Sequence, residues 1–481
     1  MSPTILPIRA NDFAHGMPEH HMTMNAASKV AKDARLFDPA AAGRRMYEHV
    51  ERLYPICRSI TGNGVRDSLN ILSERIPLVI HEIPSGTQVF DWTIPLEWNI
   101  RGAWIKDSRG ISIVDFSNST LHVVSYSRPI HQSMSLADLR PHLHSIPDQP
   151  DKIPYRTSYY HEDWGFCLPH RALLSLQDDR YEVLIDSSLT NGSLTYGEVL
   201  LPGTCTDEIL LTSHICHPAL CNDNLSGISV LCELAAALAT RPRRHSIRML
   251  FIPGTIGAIA WLALNREVVP RIRHGLVLTC LGDSGPFHYK RSRIGDAAID
   301  RAAQNALHDH SAGFHTIAFS PDGYDERQFC SPGFNLPVGR LSRAVHGRFP
   351  EYHNSGDDLS LVSADALAAS LRAVMDILYI LDNDESYVSS SPFGEPQLGR
   401  RGLYRAIGGT SDQHIEELAL LWVLNLSDGR HSLLEISDRS GLPFPSIHAA
   451  ARILETHSLL DRSRPSFPQA PMNDLKTHVS S

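Results

Sequence analysis

The stretch Ser213-His-Ile-Cys-His-Pro-Ala-Leu-Cys-Asn-Asp-Asn-Leu-Ser-Gly227 sets two imidazoles and a carboxylate between an apolar run and a helical one. Glu208-Ile-Leu-Leu-Thr212, just before it, is short and apolar, the mark of a buried strand. From Ile228 to Leu238 apolar residues recur at helical spacing. A strand that opens into a loop ahead of a helix is where an α/β sheet places its chemistry. Imidazole nitrogen and carboxylate oxygen both bind zinc, so His214 and Asp223 become candidate ligands. Two loop histidines and an aspartate capping the helix would give the same string.

The arrangement recurs downstream. Ile247-Arg-Met-Leu-Phe-Ile252 reads as a strand, followed by Pro253-Gly-Thr-Ile-Gly257 and a helical Ala258 to Asn265. Gly275-Leu-Val-Leu-Thr-Cys-Leu281 reads as another strand and ends at Gly282-Asp283. Phe349-Pro-Glu-Tyr-His-Asn-Ser-Gly-Asp357 adds a histidine and further carboxylates in a loop. Groups able to bind metal thus follow successive apolar strands.

In this order the motifs resemble those of the zinc aminopeptidases, over roughly residues 180–380 with a helical lead-in near 45–75. The resemblance implies an α/β fold, a mixed sheet flanked by helices. It implies His214, Asp223, Asp283 and His353 as metal ligands, with Asp357 trailing the last. Tyr324-Asp-Glu-Arg-Gln-Phe329 is similar to the family's Ser-Asp-His-x-x-Phe element beside the substrate pocket. His217, Tyr324, Asp325, Arg327 and Tyr352 are therefore candidate substrate-binding residues. Tyr54-Pro-Ile-Cys-Arg-Ser-Ile-Thr-Gly-Asn-Gly64, Phe90-Asp-Trp-Thr-Ile-Pro95, Trp164-Gly-Phe-Cys167 and Glu351-Tyr-His353 resemble a narrower group. Its members are bacterial aminopeptidase-like proteins that add a small inserted domain and a C-terminal winged helix. They are associated with polysaccharide or specialised-metabolite pathways.

One departure from the family matters more than the matches. Where it carries paired glutamates, this chain has Gly254 and Thr255. The first glutamate takes a proton from metal-bound water and the second completes a two-metal site, so one zinc ion is expected here over two. A substitute base must lie within hydrogen-bond reach of the water. Glu326 and Glu351 are the candidates, the latter sharing a side with His353 if the segment is extended. A solvated surface glutamate is the alternative for each. His217 is an extra ligand, a proton shuttle or a bystander.

The expected function is that of a zinc-dependent hydrolase. It would cleave an amide bond of a short peptide, aminoacyl conjugate or related small molecule through metal-bound water. The alternative is a binding or scaffold protein that keeps the fold without hydrolysis.

Composition fits a soluble cytoplasmic protein of several domains: 481 residues, 42% hydrophobic and 20% charged. No apolar run approaches the ~18 residues of a membrane span, and the N-terminus lacks a secretory signal's order. Eight scattered cysteines are expected to be reduced thiols, although Cys216 and Cys221 beside the histidines raise a thiolate–zinc knot. A formal net charge of −9 argues against nucleic acid as a partner.

Residues 1–40 read as a mobile leader, 41–80 and 176–388 as the aminopeptidase-like domain, and 81–175 as a β-rich insertion. The insertion's aromatics Trp92, Trp98, Tyr159, Tyr160 and Trp164 are core, or else a sugar-gripping wall. Residues 403–465 read as a winged helix and 466–481 as a mobile tail. The last winged-helix helix offers only Ser446, His448 and Arg452 for base or phosphate contacts. Protein contact or self-association, giving a homo-oligomer, is its expected role.

Overall fold

Side-chain alternation along the central strands divides the interior into two cores. The computed structural model describes residues 38–308, 310–403 and 411–462. Of the expected leader, residues 1–37 lie outside this range, as does the whole of the expected tail. Val79–Pro84 (β1), Ser193–Leu201 (β2), Glu208–His214 (β3), Ser246–Ile252 (β4), Ile272–Leu278 (β5), Phe287–Lys290 (β6), Phe314–Ile317 (β7) and Val338–Ser342 (β8) form one sheet. Its order is β1-β2-β4-β3-β5-β8-β6-β7. The central β4, β3, β5 and β8 are parallel, while β1, β2 and β6 pair antiparallel to their inner neighbours. The sheet is therefore mixed, as expected.

The helices Pro39–Leu53 (α1), Asn63–Ser73 (α2), Gly227–Leu238 (α3), Ile256–Leu264 (α4), Ala298–His308 (α5) and Ala364–Asn383 (α6) cover it. Ile209, Leu211, Met249, Phe251, Leu276 and Leu278 face one way, into a core shared with α1, α2, α3, α5 and α6. Leu210, Leu250, Ile252 and Val277 face the other way, toward α4 and its buried Trp261. This period of two on strands buried on both faces is what helix-covered parallel strands require. Helix α1 starts earlier than its apolar spacing indicates, because Asp38 accepts the Ala40 and Ala41 amides and Pro39 opens the first turn.

The insertion carries a four-stranded sheet with Glu97–Lys106 and Arg180–Thr190 at its centre. Its closing strand thus lies past the expected boundary at 175. Trp98 and Trp164 are core, whereas Trp92 and Tyr160 stay exposed and pack edge to face.

At the C-terminal end, Ser386–Ser389 pairs with Asp428–Ser432 and Leu460–Arg462. These strands accompany helices Ser411–Leu426, Leu433–Ser440 and Phe444–Thr456. The C-terminal unit therefore begins before the expected residue 403, since its sheet needs the strand that directly follows α6. In the last helix His448 bonds Tyr379 of α6 at 2.7 Å and Arg452 pairs with Glu455. Among the described residues no helix is long and apolar enough to cross a membrane.

Arg248 on β4 is buried between Glu208 of β3, at 2.7 Å, and Glu198 of β2. Arg248→Met strands two carboxylates inside the sheet. Breaking one side of a buried ion pair costs about 3–5 kcal/mol. Urea denaturation should show a loss of that size.

Candidate metal centre

The loop after β3 is built by clamping alternate residues and leaving one free. Asn222 Oδ1 accepts the Gly282 amide at 2.8 Å. Asn224 Oδ1 accepts the Cys280 amide at 3.2 Å, and its Nδ2 donates to Ser213 Oγ at 2.8 Å. Ser226 Oγ donates to the Asn222 carbonyl and accepts the Leu281 amide. The two asparagines and the serine thus fasten the loop to the exit of β5, and Asp223 between them is turned to the site. A Cβ at Gly227 would stand 2.5 Å from Asn224 Oδ1 and 2.6 Å from the Leu278 carbonyl oxygen, so only glycine fits there. From the far side Asp357 accepts the amides of Asn222, at 2.5 Å, and Asp223, at 2.8 Å.

His214, His217 and Asp223 present ligand atoms within 4.8 Å of one another, the one such group of His, Cys, Asp or Glu among the described residues. His214 Nε2 lies 3.0 Å from Asp223 Oδ1. His353 Nε2 approaches Asp223 Oδ2 at 3.1 Å. Both of those last atoms are buried and neither makes a hydrogen bond. Tyr324 donates its hydroxyl to Asp223 Oδ1 at 3.1 Å and stacks on His214. Burial opposes ionisation of Asp223, yet His217, His214 and His353 overcome it and hold the carboxyl well below its usual range. Burial drives the basicity of His217 well down. Metal binding requires the carboxylate ionised and the imidazoles unprotonated.

His353 sits at φ 54, a left-handed conformation uncommon for a non-glycine residue. The insertion holds it there. Tyr155 donates its amide to the His353 carbonyl at 2.8 Å, and Ser355 donates its amide to the Ile153 carbonyl at 2.9 Å. The Tyr155 ring meets both His217 and His353, and Tyr352 stacks on His353.

Four expected carboxylates lie outside the donor group. Asp283 is absent from the donor group: Asn222 Nδ2 and the Gly285 amide take its oxygens, and it lines a separate cavity with His288, His315 and Arg343. Having clamped Asn222, it is part of the scaffold. Glu326 cannot be the substitute base, because it is fully buried against Lys290, at 3.0 Å, and Arg340, at 3.3 Å. Glu351 is half-buried beside Gly356 in the His353 loop and outside the donor group. Asp325 is 1% exposed and neither of its carboxylate oxygens has a hydrogen-bond partner. Burial, with Glu326 next to it, pushes its pKa up to about 8. Arg327 is half-buried with its Nε unpartnered. His217, a candidate both for substrate binding and as an extra ligand, lies in the donor group with His214 and Asp223. The cysteines are free thiols, and burial pushes Cys216 up to about 12, which disfavours a thiolate knot.

This sheet, with its helices and a site at the parallel strand ends, is the aminopeptidase-like architecture. A zinc aminopeptidase from Bacillus subtilis superposes with a TM-score of 0.52 at 13% identity, covering 70% of this chain and 95% of that one. The chain belongs to the family described as a domain of unknown function, DUF4910, whose model matches residues 47–384. A winged helix-turn-helix model matches residues 385–462. A Clostridium acetobutylicum protein is 49% identical over 418 residues, covering 87% of this chain and 96% of its own length. Its provisional name is polysaccharide biosynthesis protein with aminopeptidase-like domain. A crystal structure from that organism, provisionally described as a peptidase, gives a TM-score of 0.85 at 46% identity, covering 91% of this chain and 100% of that one.

Gly227→Ala should cost about 1–3 kcal/mol, the range for an overpacked methyl group. The check is thermal unfolding together with zinc affinity, both of which should fall as the loop is pushed off β5.

Proposed function

We propose that the chain is a zinc-dependent hydrolase cleaving an amide bond of a short peptide, aminoacyl conjugate or related small molecule. The supporting observation is the pair Asp223 Oδ2 and His353 Nε2, buried 3.1 Å apart without a hydrogen bond, with His214 and His217 beside them. Orphaned buried polar atoms are costly, and a cation between them removes that cost. The donor set of neutral imidazoles and one carboxylate suits zinc. His214, His217, Asp223 and His353 would hold one ion. Zinc there would polarise a substrate carbonyl and acidify water.

The remaining groups belong to the protein. The Tyr324 hydroxyl fixes the rotamer of Asp223. Arg327 offers its planar fork to a substrate carboxylate. Tyr155 and Tyr352 set their rings against His217 and His353, and Tyr159 bonds the Tyr155 hydroxyl. Polysaccharide biosynthesis is the proposed setting, after the name of the Clostridium acetobutylicum relative. A binding protein without hydrolysis is the second reading, favoured by Gly254 and Thr255 in place of carboxylates.

Zinc analysis after dialysis should give one ion per chain. Asp223→Ala should lose it, with affinity down at least ~100-fold given the 10–100-fold typical of mere supporting groups. Asp283→Asn should keep it. Loss of zinc in Asp283→Asn with retention in Asp223→Ala would refute the assignment, and intact zinc without hydrolysis of any aminoacyl amide or acylated amino sugar would leave the binding reading.

A further inference from the structure

Gly254 lies in the turn between β4 and α4, where the zinc aminopeptidase pattern has its first glutamate. Its backbone φ is not in the left-handed region, so the absence of a side chain has another cause. A Cβ there would stand 3.2 Å from His214 Cβ and 3.4 and 3.6 Å from the two carboxylate oxygens of Asp325. A Cβ there would already be in van der Waals contact with both Asp325 oxygens, so any longer side chain at 254 would run against a carboxylate arriving from another segment. Asp325 and Glu326 are neighbours with opposite fates. Glu326 is tied to Lys290 and Arg340, which anchors the segment, while Asp325 has both oxygens buried, unpartnered and beside Gly254, whose Cβ position also borders His214.

We propose that Asp325 supplies the carboxylate that position 254 lacks, and that Gly254 is small because Asp325 occupies its side-chain space. The inference deepens the hydrolase reading and rests on it for the reaction. As a water oxygen forms its bond to the amide carbon, the carbonyl π pair moves onto the carbonyl oxygen. One water proton passes to an Asp325 oxygen. When the pair on the former carbonyl oxygen re-forms the C=O bond, the C–N pair leaves on nitrogen, which takes the proton back from Asp325. A carboxylic acid and an amine result, and Asp325 is again ionised.

The test uses four zinc-loaded full-length proteins: wild type, Asp325→Asn, Gly254→Glu, and Gly254→Glu combined with Asp325→Gly. Zinc per chain, thermal midpoint and hydrolysis of L-leucine p-nitroanilide are measured on each. Asp325→Asn should keep its zinc and a midpoint close to wild type, since the buried carboxyl it replaces has no hydrogen-bond partner to lose. Its turnover should fall at least ~100-fold, the scale of a lost general base. Gly254→Glu alone should lower the midpoint through crowding, and the second substitution should restore it. Wild-type turnover in Asp325→Asn, or loss of its zinc, overturns the proposal, the latter by making Asp325 a ligand. Gly254→Glu tolerated without the second change overturns it as well. A wild type without turnover of this or any other aminoacyl amide or acylated amino sugar defeats the hydrolase reading, and the midpoint cycle then decides alone whether Asp325 fills the space beside Gly254.

Discussion

A single carboxylate, Asp357, receives the backbone amides of both Asn222 and Asp223, and the position of the Asp223 side chain follows from that grip. An ionised carboxylate without access to water costs several kcal/mol unless its surroundings compensate. Here three imidazoles and the Tyr324 hydroxyl surround it. Those partners come from β3 and the loop after it, the 324–329 segment and the 349–357 loop. Bringing them together is what the sheet, the clamp at β5 and the insertion accomplish jointly.

The insertion matters to the site as much as the sheet does. Its residues 153–155 bond the backbone of 353–355, so the last histidine is placed by a segment nearly two hundred residues away in sequence, as Tyr155 and His353 show. The same segment contributes the Tyr155 ring against His217 and His353. A change in the insertion that released this backbone would reach the site through His353, whose left-handed conformation needs outside support.

Much of this was legible in the sequence, for identifiable reasons. Strands β3, β4 and β5 are apolar on both faces, which only a helix-covered sheet demands, and the Asn-Asp-Asn-x-Ser-Gly string marks where the chemistry falls. The fate of each carboxylate was less legible. Asp283 has the right place after its strand, but whether a carboxylate meets a metal or an asparagine depends on a rotamer set by the clamp. Glu326 and Asp325 are adjacent, and nothing local says that Lys290 and Arg340 take one and leave the other bare. Boundaries also shifted where pairing is non-local: Arg180–Thr190 joins the insertion because Glu97–Lys106 is its partner, and Ser386–Ser389 joins the winged helix through strands forty and seventy residues on, at Asp428–Ser432 and Leu460–Arg462.

The proposed hydrolase makes one spatial demand: a single cation held among His214, His217, Asp223 and His353. Anomalous diffraction at the zinc absorption edge, on crystals of the zinc-loaded protein, addresses it directly. The account predicts one strong peak bounded by those four side chains, with ligand distances of about 2.0–2.2 Å. A peak in the cavity lined by Asp283, His288 and His315, or none between Asp223 and His353, would contradict it.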